Sequence, residues 1–255
     1  MLKIIISPAK KMRYHDEGFE WEQLPLFLNQ TAELKAHLAG LDEAALKHIW
    51  QCNDQIAALN YERLQKMSLT SQLTPAILAY EGIQYQYMAP HVFDEKQWDY
   101  VRQHLIILSG FYGLLRATDG VTPYRLEMQA KFPIHDVKNL YAYWKDSIYN
   151  ALTKEGSVIV NLASKEYSKI VEKYVDDPVK MVTCTFGELV DVKGVQKVKT
   201  KATDAKMARG EMVRYMAAYQ VKEVTQLKGF DRLNYVYSEA YSQDDNYVFL
   251  KDTHK

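Results

Sequence analysis

Short apolar runs separated by helical segments are the feature that most constrains the fold of this chain. They cover residues 2–6, 105–108 and 158–160, and polar or turn-forming residues bound each of them. Runs of this length are typical of buried strands. Further strands are expected at residues 179–190 and 194–199, which would pair as a hairpin, and at 233–237 and 247–250. Strands that alternate with helices predict an α/β (mixed α+β) fold, a single domain over residues 1–255 with a central mixed β-sheet flanked by helices.

Residues 26–66 predict a helical appendage within this domain, because leucine and isoleucine recur there at spacings of three and four. The first two helices are separated at residues 38–42. Gly40 is expected to end a helix in the left-handed conformation, and Asp42 is expected to cap the next one. The layout resembles a helix-hairpin-helix, whose backbone N–H groups can face a DNA phosphate. Any two packed helices would look similar, so plain helix packing stays open as the alternative.

Four other helices have recognisable signals at their starts or along one face. They are a short helix with Thr74 as N-cap and Pro75 as its first residue, one opened by a capping box at residues 94–97, one over residues 139–152, and an amphipathic one over residues 203–219. Ser164 is expected to cap a further short helix after the strand at 158–160.

Composition describes an ordinary globular protein. Apolar residues make up 47% of the chain, charged residues make up 25%, and the net charge is zero. An apolar run long enough to span a membrane is missing, and the start of the chain predicts a strand rather than a signal peptide. The only cysteines, Cys52 and Cys184, allow no disulfide framework and are expected to pack as small hydrophobic residues. These features predict a cytoplasmic protein.

Basic residues concentrate in one stretch although the whole chain is neutral. Residues 191–214 contain three acids and seven basic residues: Lys193, Lys197, Lys199, Lys201, Lys206, Arg209 and Arg214. Such a stretch predicts either a basic surface for an anionic partner or simply a solvated face.

The segment after the strand at 105–108 combines glycines with two arginines, Arg116 and Arg125. Guanidinium groups match phosphate and carboxylate oxygens in pairs, so this segment indicates an anionic partner. The alternative is that the two arginines pair with Asp119 and Glu127 to fix a loop. On an extended segment, Arg125 and Glu127 would point to the same face, which suits an ion pair or an acid or base beside a bound anion.

Signatures of common cofactor sites are missing from the sequence. It has no phosphate-binding loop with the GxxxxGK[ST] pattern, only a fragment of a dinucleotide fingerprint, and no HExxH or CxxC metal motif. We therefore expect neither a metal nor a cofactor, and catalytic residues stay unassigned.

Four motifs read in order resemble the YaaA family of bacterial peroxide-stress proteins. They are ISPAK at residues 6–10, LSGFYGLLR at 108–116, PYRLEM at 123–128 and NLAS at 161–164. The resemblance implies a cytoplasmic protein that limits free intracellular iron under hydrogen peroxide. It also implies DNA binding, with a helix-hairpin-helix and a positively charged cleft in a single α/β domain, and no settled enzymatic activity.

Two sets of residues are candidates for the functional site. The DNA- or anion-binding candidates are Lys10, Lys11, Arg116, Arg125, Lys206, Arg209 and Arg214. The candidates that would support the pocket are Ser7, Glu127, Asn161 and Ser164. The expected partner is double-stranded or branched DNA, and no membrane partner is expected. The alternative is a small-molecule enzyme that acts on a phosphate- or carboxylate-bearing substrate in a pocket built from the SPAK, YRLEM and NLAS segments.

Overall fold

The strands in the middle of the molecule are parallel and buried. The computed structural model describes residues 1–15, 19–131, 133–134, 136–154 and 158–252 of the chain. In chain order the strands are β1 Leu2–Ile6, β2 Lys11–Met12, β3 Thr74–Pro75, β4 Tyr80–Glu81, β5 Leu105–Ser109, β6 Gly113–Arg116, β7 Gly120–Val121, β8 Val158–Leu162, β9 Lys180–Val192, β10 Val195–Lys199, β11 Tyr235–Tyr237 and β12 Asn246–Lys251.

Helices surround these strands. In chain order they are α1 Leu28–Ala39, α2 Glu43–Trp50, α3 Asp54–Lys66, α4 Ala76–Ala79, α5 Ile83–Met88, α6 Glu95–His104, α7 Leu140–Trp144, α8 Ser147–Thr153, α9 Lys165–Glu172 and α10 Ala202–Tyr219. Short 3-10 helices cover Pro90–Val92, Val224–Gly229, Arg232–Asn234 and Glu239–Tyr241. Among the described residues, no helix is both long enough and apolar enough to span a bilayer.

The strand order confirms the predicted mixed sheet. Among the described residues, eight strands form one sheet in the order β11-β12-β9-β8-β1-β5-β6, with β10 paired to β9. Strand β1 is parallel to both β5 and β8, and β9 and β12 continue the parallel part. The edges are antiparallel, since β6 pairs with β5 and β11 pairs with β12. The predicted single α/β domain with helices around a central sheet is therefore confirmed.

Burial on both faces explains why the central strands are continuous apolar runs. All five residues of β5 are buried, as are four of the five in β1 and in β8. Because β1, β5 and β8 are parallel, their carboxyl ends lie at the same edge of the sheet. In α/β proteins this edge is where ligands commonly bind.

The segment at residues 26–66 is helical as predicted and forms the three helices α1, α2 and α3. Asp42 caps α2 as predicted, its Oδ1 accepting a hydrogen bond of 2.8 Å from Ala45 N. Gly40 ends α1 as predicted, but its φ of −80° is right-handed rather than left-handed. Cys52 lies in the turn between α2 and α3, where Gln51 ends α2 and Asn53 caps α3. The segment packs on the sheet edge, where the Thr31 hydroxyl donates to Phe111 O.

Two other helix predictions need correction and one is confirmed. Thr74 and Pro75 form β3, so α4 begins one residue later than predicted. The helix predicted over residues 139–152 is two helices, because Lys145 adopts a φ of +47° and ends α7. The capping box of α6 is present, with reciprocal hydrogen bonds of 3.0 and 2.9 Å between Asp94 and Gln97.

Candidate functional site

The carboxyl ends of β1 and β8 meet through two serines. Ile6 and Leu162 are register partners in the parallel pair, so the next residues of both strands leave the sheet side by side. Ser164 N donates a hydrogen bond of 2.8 Å to Ser7 Oγ, and the two hydroxyl oxygens are 3.2 Å apart. The Tyr85 hydroxyl donates to Ser7 O at 3.0 Å. These bonds fix the SPAK and NLAS segments against each other.

A cleft of about 410 Å³ opens beside these serines. Its lining residues come from residues 7–11, 81–85 and 124–127, the start of α9 and one face of α10. This volume falls within the range of about 300–1,000 Å³ that is usual for small-molecule sites.

Glycine lets the 124–127 segment approach the sheet. A Cβ on Gly110 would lie 2.6 Å from Leu126 O and 2.9 Å from the Glu127 carbonyl carbon. The Gly110 carbonyl is itself held by a 3.0 Å hydrogen bond from Trp144 Nε1. A glycine just after β5 therefore sets the depth at which Arg125 and Glu127 enter the cleft.

A second glycine brings α10 to the cleft. A Cβ on Gly210 would lie only 2.2 Å from Gln84 O, so α10 and α5 are in backbone contact here. Lys206 and Arg209, three residues apart on α10, both line the cleft.

Arg125, Glu127 and Lys10 form a linked group of charges. Glu127 Oε1 lies 3.2 Å from Arg125 Nη2 and 3.5 Å from Lys10 Nζ. The Arg125 and Glu127 side chains are only 9% and 11% exposed, whereas the Lys10 side chain is 63% exposed. Arg125 Nη2 also donates to Trp50 O at the end of α2, at 3.4 Å. Arg125 Nε and Glu127 Oε1 are nevertheless buried without a hydrogen-bond partner.

Arg209 carries a second buried and unsatisfied guanidinium nitrogen. Its Nε has no hydrogen-bond partner, and within the described residues Arg209 belongs to no ion pair. Burial lowers the pKa of Arg209, while the nearby Cys184 thiol has a small opposing effect. Cys184 itself is buried, which raises the pKa of its thiol to about 12.

Another carboxylate, Glu166, lies in the first turn of α9 and lines the same cleft. Burial raises the pKa of Glu166, and the negative charge of Glu127 acts in the same direction. A hydrogen bond of 3.3 Å from Gln129 N to Glu166 Oε1 partly offsets this rise.

Tyrosines form the apolar wall between the cleft and the sheet. Tyr124 and Tyr85 line the cleft, and Tyr124 is held by hydroxyl contacts of 2.8 Å to Tyr80 and 2.6 Å to Ser109. Burial raises the pKa of Tyr124 to about 12. The network therefore holds neutral phenols in fixed orientations beneath the charged groups.

A family model described as peroxide stress protein YaaA matches residues 2–241 of the chain. The chain belongs to the peroxide stress protein YaaA family. This membership confirms the resemblance found in the sequence and supports a role in peroxide stress.

Curated relatives match over almost their whole length. A UPF0246 protein of Lachnoclostridium phytofermentans is 52% identical over 250 residues, covering 98% of this chain and 96% of that protein. A UPF0246 protein of Pediococcus pentosaceus is 52% identical over 251 residues, covering 98% of each chain. One from Lactiplantibacillus plantarum is 47% identical over 249 residues, covering 98% of this chain and 99% of that protein.

In this YaaA-family chain the cleft brings together eight of the eleven candidate residues. They are Ser7, Lys10, Lys11, Arg125, Glu127, Ser164, Lys206 and Arg209. The Lys11 side chain points to solvent and pairs with Glu81 at 2.8 Å.

Three candidates lie outside the cleft lining. Arg116 Nε pairs with Asp119 Oδ1 at 2.8 Å, and its Nη2 donates to Leu24 O, so it holds a turn. Arg214 is exposed on α10. The Asn161 side-chain amide accepts a hydrogen bond from Ala163 N and donates one to Thr183 Oγ1. Asn161 borders a neighbouring cavity of about 1,170 Å³ that Arg209 also lines. Both ion pairs of the loop-fixing alternative, Arg116–Asp119 and Arg125–Glu127, are present.

The candidate site residues taken from the sequence did not include Glu81, Tyr85 or Glu166. The expected cap at Ser164 placed Glu166 in the first turn of a helix after a strand, which is a usable signal. Tyr85 has none, because its contact with Ser7 joins residues 78 positions apart. Among the described residues, no three His, Cys, Asp or Glu side chains gather as ligands for a metal ion.

Proposed function

We propose that this cytoplasmic peroxide-stress protein limits free intracellular iron and binds DNA phosphates around its cleft, largely without sequence specificity. The observation that supports DNA binding is the convergence of five cations on one cleft, which also contains three carboxylates. The cations are Lys10, Lys11, Arg125, Lys206 and Arg209, and the carboxylates are Glu81, Glu127 and Glu166. Lysines on the rim suit phosphate contacts, which position a protein on DNA without reading sequence.

The exposed lysines are the main support for the proposed DNA binding. Lys206 is exposed and belongs to no ion pair within the described residues, so its charge is available. Lys11 pairs with Glu81, but its side chain is 79% exposed, and such surface pairs contribute little. The three-helix segment adjoins the cleft, since Trp50 O at the end of α2 accepts a hydrogen bond from Arg125. We propose that the α1–α2 hairpin adds a further DNA contact.

Salt dependence tests the DNA proposal directly. Fluorescence anisotropy with a labelled paired duplex should show affinity that falls steeply between about 50 and 200 mM salt. Replacing Lys10 and Lys206 together by alanine should reduce the slope of log affinity against log salt by about 2, because each lysine displaces about one counterion.

The matched control is the double variant Lys96→Ala, Lys222→Ala. Both lysines are exposed and lie near the other end of α10, where Gln220 Nε2 donates to Lys96 O. The control should keep the wild-type slope. Equal loss in the two double variants, or a flat salt response of the wild type, would remove the cleft as the DNA surface.

Iron limitation needs a cellular measurement. In a strain that lacks the protein, electron paramagnetic resonance of chelatable iron after hydrogen peroxide should show more free iron than in the complemented strain. Complementation with the Lys10→Ala, Lys206→Ala variant then shows whether the cleft and the iron effect belong together.

A second function, an enzyme acting on a small anionic substrate, is favoured by the buried Arg125–Glu127 pair inside a cleft of small-molecule size. Glu127→Gln removes a charge with little change in shape. If stability and DNA binding persist in this variant while cells lose peroxide protection, chemistry at Glu127 becomes the better account. If protection persists, Glu127 only orients Arg125.

A further inference from the structure

Unsatisfied buried polar atoms concentrate at the cleft. Among the described residues, five buried side-chain nitrogen or oxygen atoms have no hydrogen-bond partner, and three belong to residues that line the cleft. They are Arg125 Nε, Glu127 Oε1 and Arg209 Nε. Buried polar groups are normally paired, and a buried group without a partner destabilises the folded state unless a ligand supplies one. Their presence in one cleft points to a ligand that supplies partners.

The three atoms are of opposite kinds, and this restricts the ligand. The arginine nitrogens donate hydrogen bonds, whereas Glu127 Oε1 only accepts them. An inorganic phosphate would satisfy the arginines but would place a second anion beside Glu127, whose Oε1 has ion-pair contacts to Arg125 and Lys10 but accepts no hydrogen bond. The ligand therefore carries an N–H or O–H donor for Glu127 together with an acceptor for an arginine.

The walls of the cleft favour a flat and partly apolar group. Pro8, Ile83 and Leu126 line the cleft together with Tyr85 and Tyr124. Pockets for flipped bases combine apolar or aromatic walls with a few polar groups that read the Watson–Crick edge. The exposed cations Lys10 and Lys206 also line the cleft, and a phosphate attached to the flat group would lie against them.

We propose that the cleft binds one guanine base, with its phosphate on Lys10 and Lys206. Guanine is the DNA base whose Watson–Crick edge carries two adjacent N–H donors, which match the two oxygens of a carboxylate such as Glu127. Its O6 is the acceptor that meets Arg209. This inference rests on the proposed DNA binding where the base belongs to a strand, and a free guanine nucleotide carries the same chemistry.

A base inside a duplex cannot enter the cleft, because it is stacked and paired. Extruding a base from the duplex is unfavourable, and the free-energy cost is least for an unpaired base. The proposal therefore predicts a preference for DNA that contains an unpaired guanine over the same DNA fully paired.

The test compares duplexes that differ by one unpaired nucleotide. Anisotropy with the full chain at fixed salt measures affinity for the paired duplex and for duplexes with one unpaired guanine, cytosine, adenine or thymine. The unpaired-guanine duplex should bind about tenfold more tightly than the paired duplex and than each of the other three. Calorimetry with dGMP, dCMP, dAMP and dTMP tests the free nucleotide.

Two variants and a control test whether the preference for unpaired guanine arises in the cleft. Glu127→Gln and Arg209→Met should each abolish the preference for unpaired guanine. Because Arg209 is one of the cleft cations, Arg209→Met should also weaken binding of all the duplexes by an equal factor. Arg209→Met is included because Glu127→Gln leaves Arg125 without its carboxylate and so endangers folding. The control, Arg214→Met, changes an exposed arginine of the same helix outside the cleft and should keep the preference.

The outcomes separate this inference from the proposed function. Salt-dependent binding with equal affinity for all duplexes, or a preference that survives Arg209→Met, overturns the guanine site and leaves DNA binding standing. Absence of all DNA binding together with dGMP binding that Arg209→Met weakens overturns DNA binding and keeps the guanine site for a free nucleotide. Binding of neither overturns both.

Discussion

Replacing Arg209 by methionine should make the protein more stable. The Arg209 guanidinium has a buried Nε without a hydrogen-bond partner, it has no ion pair within the described residues, and burial lowers its pKa. Each of these facts indicates that the folded protein loses hydration of this group without full compensation. Methionine keeps the unbranched apolar stem and removes the charge.

The size of the gain follows from the burial of the group. An unsatisfied buried donor costs about 1–3 kcal/mol, and because Arg209 is only partly buried the lower end applies. We expect the free energy of unfolding to rise by about 1 kcal/mol, which for a chain of this size raises Tm by about 2–4 °C. Affinity for the ligand should fall at the same time, which is the usual exchange of stability for function at a binding site.

Chemical denaturation of the wild type, Arg209→Met and Arg214→Met checks this expectation. Arg214 is exposed on the same helix, so its replacement should stay within about 0.5 kcal/mol of the wild type. If Arg209→Met lowers the free energy of unfolding by 1 kcal/mol or more, Arg209 has a structural partner, and the argument that it waits for a ligand is refuted.

Three other perturbations test the remaining structure. Burial raises the pKa of Glu166 above 4.5, so the folded state binds the Glu166 proton more tightly than the unfolded state does, and this contribution to stability is lost as pH rises through the raised pKa. The stability of Glu166→Gln relative to wild type should therefore increase from about pH 4 to 7 in denaturant titrations. A constant difference would contradict the raised pKa. Gly210→Ala should lower the free energy of unfolding by about 1–3 kcal/mol, because its Cβ would lie 2.2 Å from Gln84 O. The control is Gly40→Ala, whose Cβ would lie 3.5 Å from His37 O and whose φ is right-handed, so it should be neutral or slightly stabilising. Equal effects of the two substitutions would refute the close contact at Gly210. Cys184 should react with a thiol reagent only on unfolding, because burial raises its pKa to about 12; rapid sulfenic acid formation there in the native protein would overturn this.

Much of the fold follows from local signals in the sequence. The strands at residues 2–6, 105–108 and 158–160 are apolar because both faces of the sheet are covered, and that pattern is visible without a structure. The capping box at residues 94–97 is equally local. Errors occurred where the backbone conformation depends on distant packing. Gly40 can adopt a left-handed φ but is not required to, and nothing in residues 139–152 marks the positive φ of Lys145.

The candidate site was less accessible to sequence reasoning. The sequence predicts that Lys10, Arg125 and Asn161 lie together, because each follows or adjoins a strand. Lys10 and Arg125 line the cleft, whereas Asn161 borders the neighbouring cavity. Arg116 also adjoins a strand, yet it forms an ion pair with Asp119 in a turn and does not reach the cleft. Which of two similar arginines reaches the cleft depends on the approach of Gly110 to Leu126, a contact that sequence spacing does not encode. The functional roles assigned to these residues stay predictions.

The cleft is assembled from five segments that span the chain from Ser7 to Arg209. Contacts of such long sequence separation form late, because the chain must close large loops before they contribute. A ligand that contacts all five segments therefore binds the native state in preference to the unfolded chain. By linkage, such a ligand at 100 times its Kd stabilises the entire domain by about 2.7 kcal/mol. Thermal unfolding in the presence of candidate nucleotides is therefore a sufficient screen for what this cleft binds.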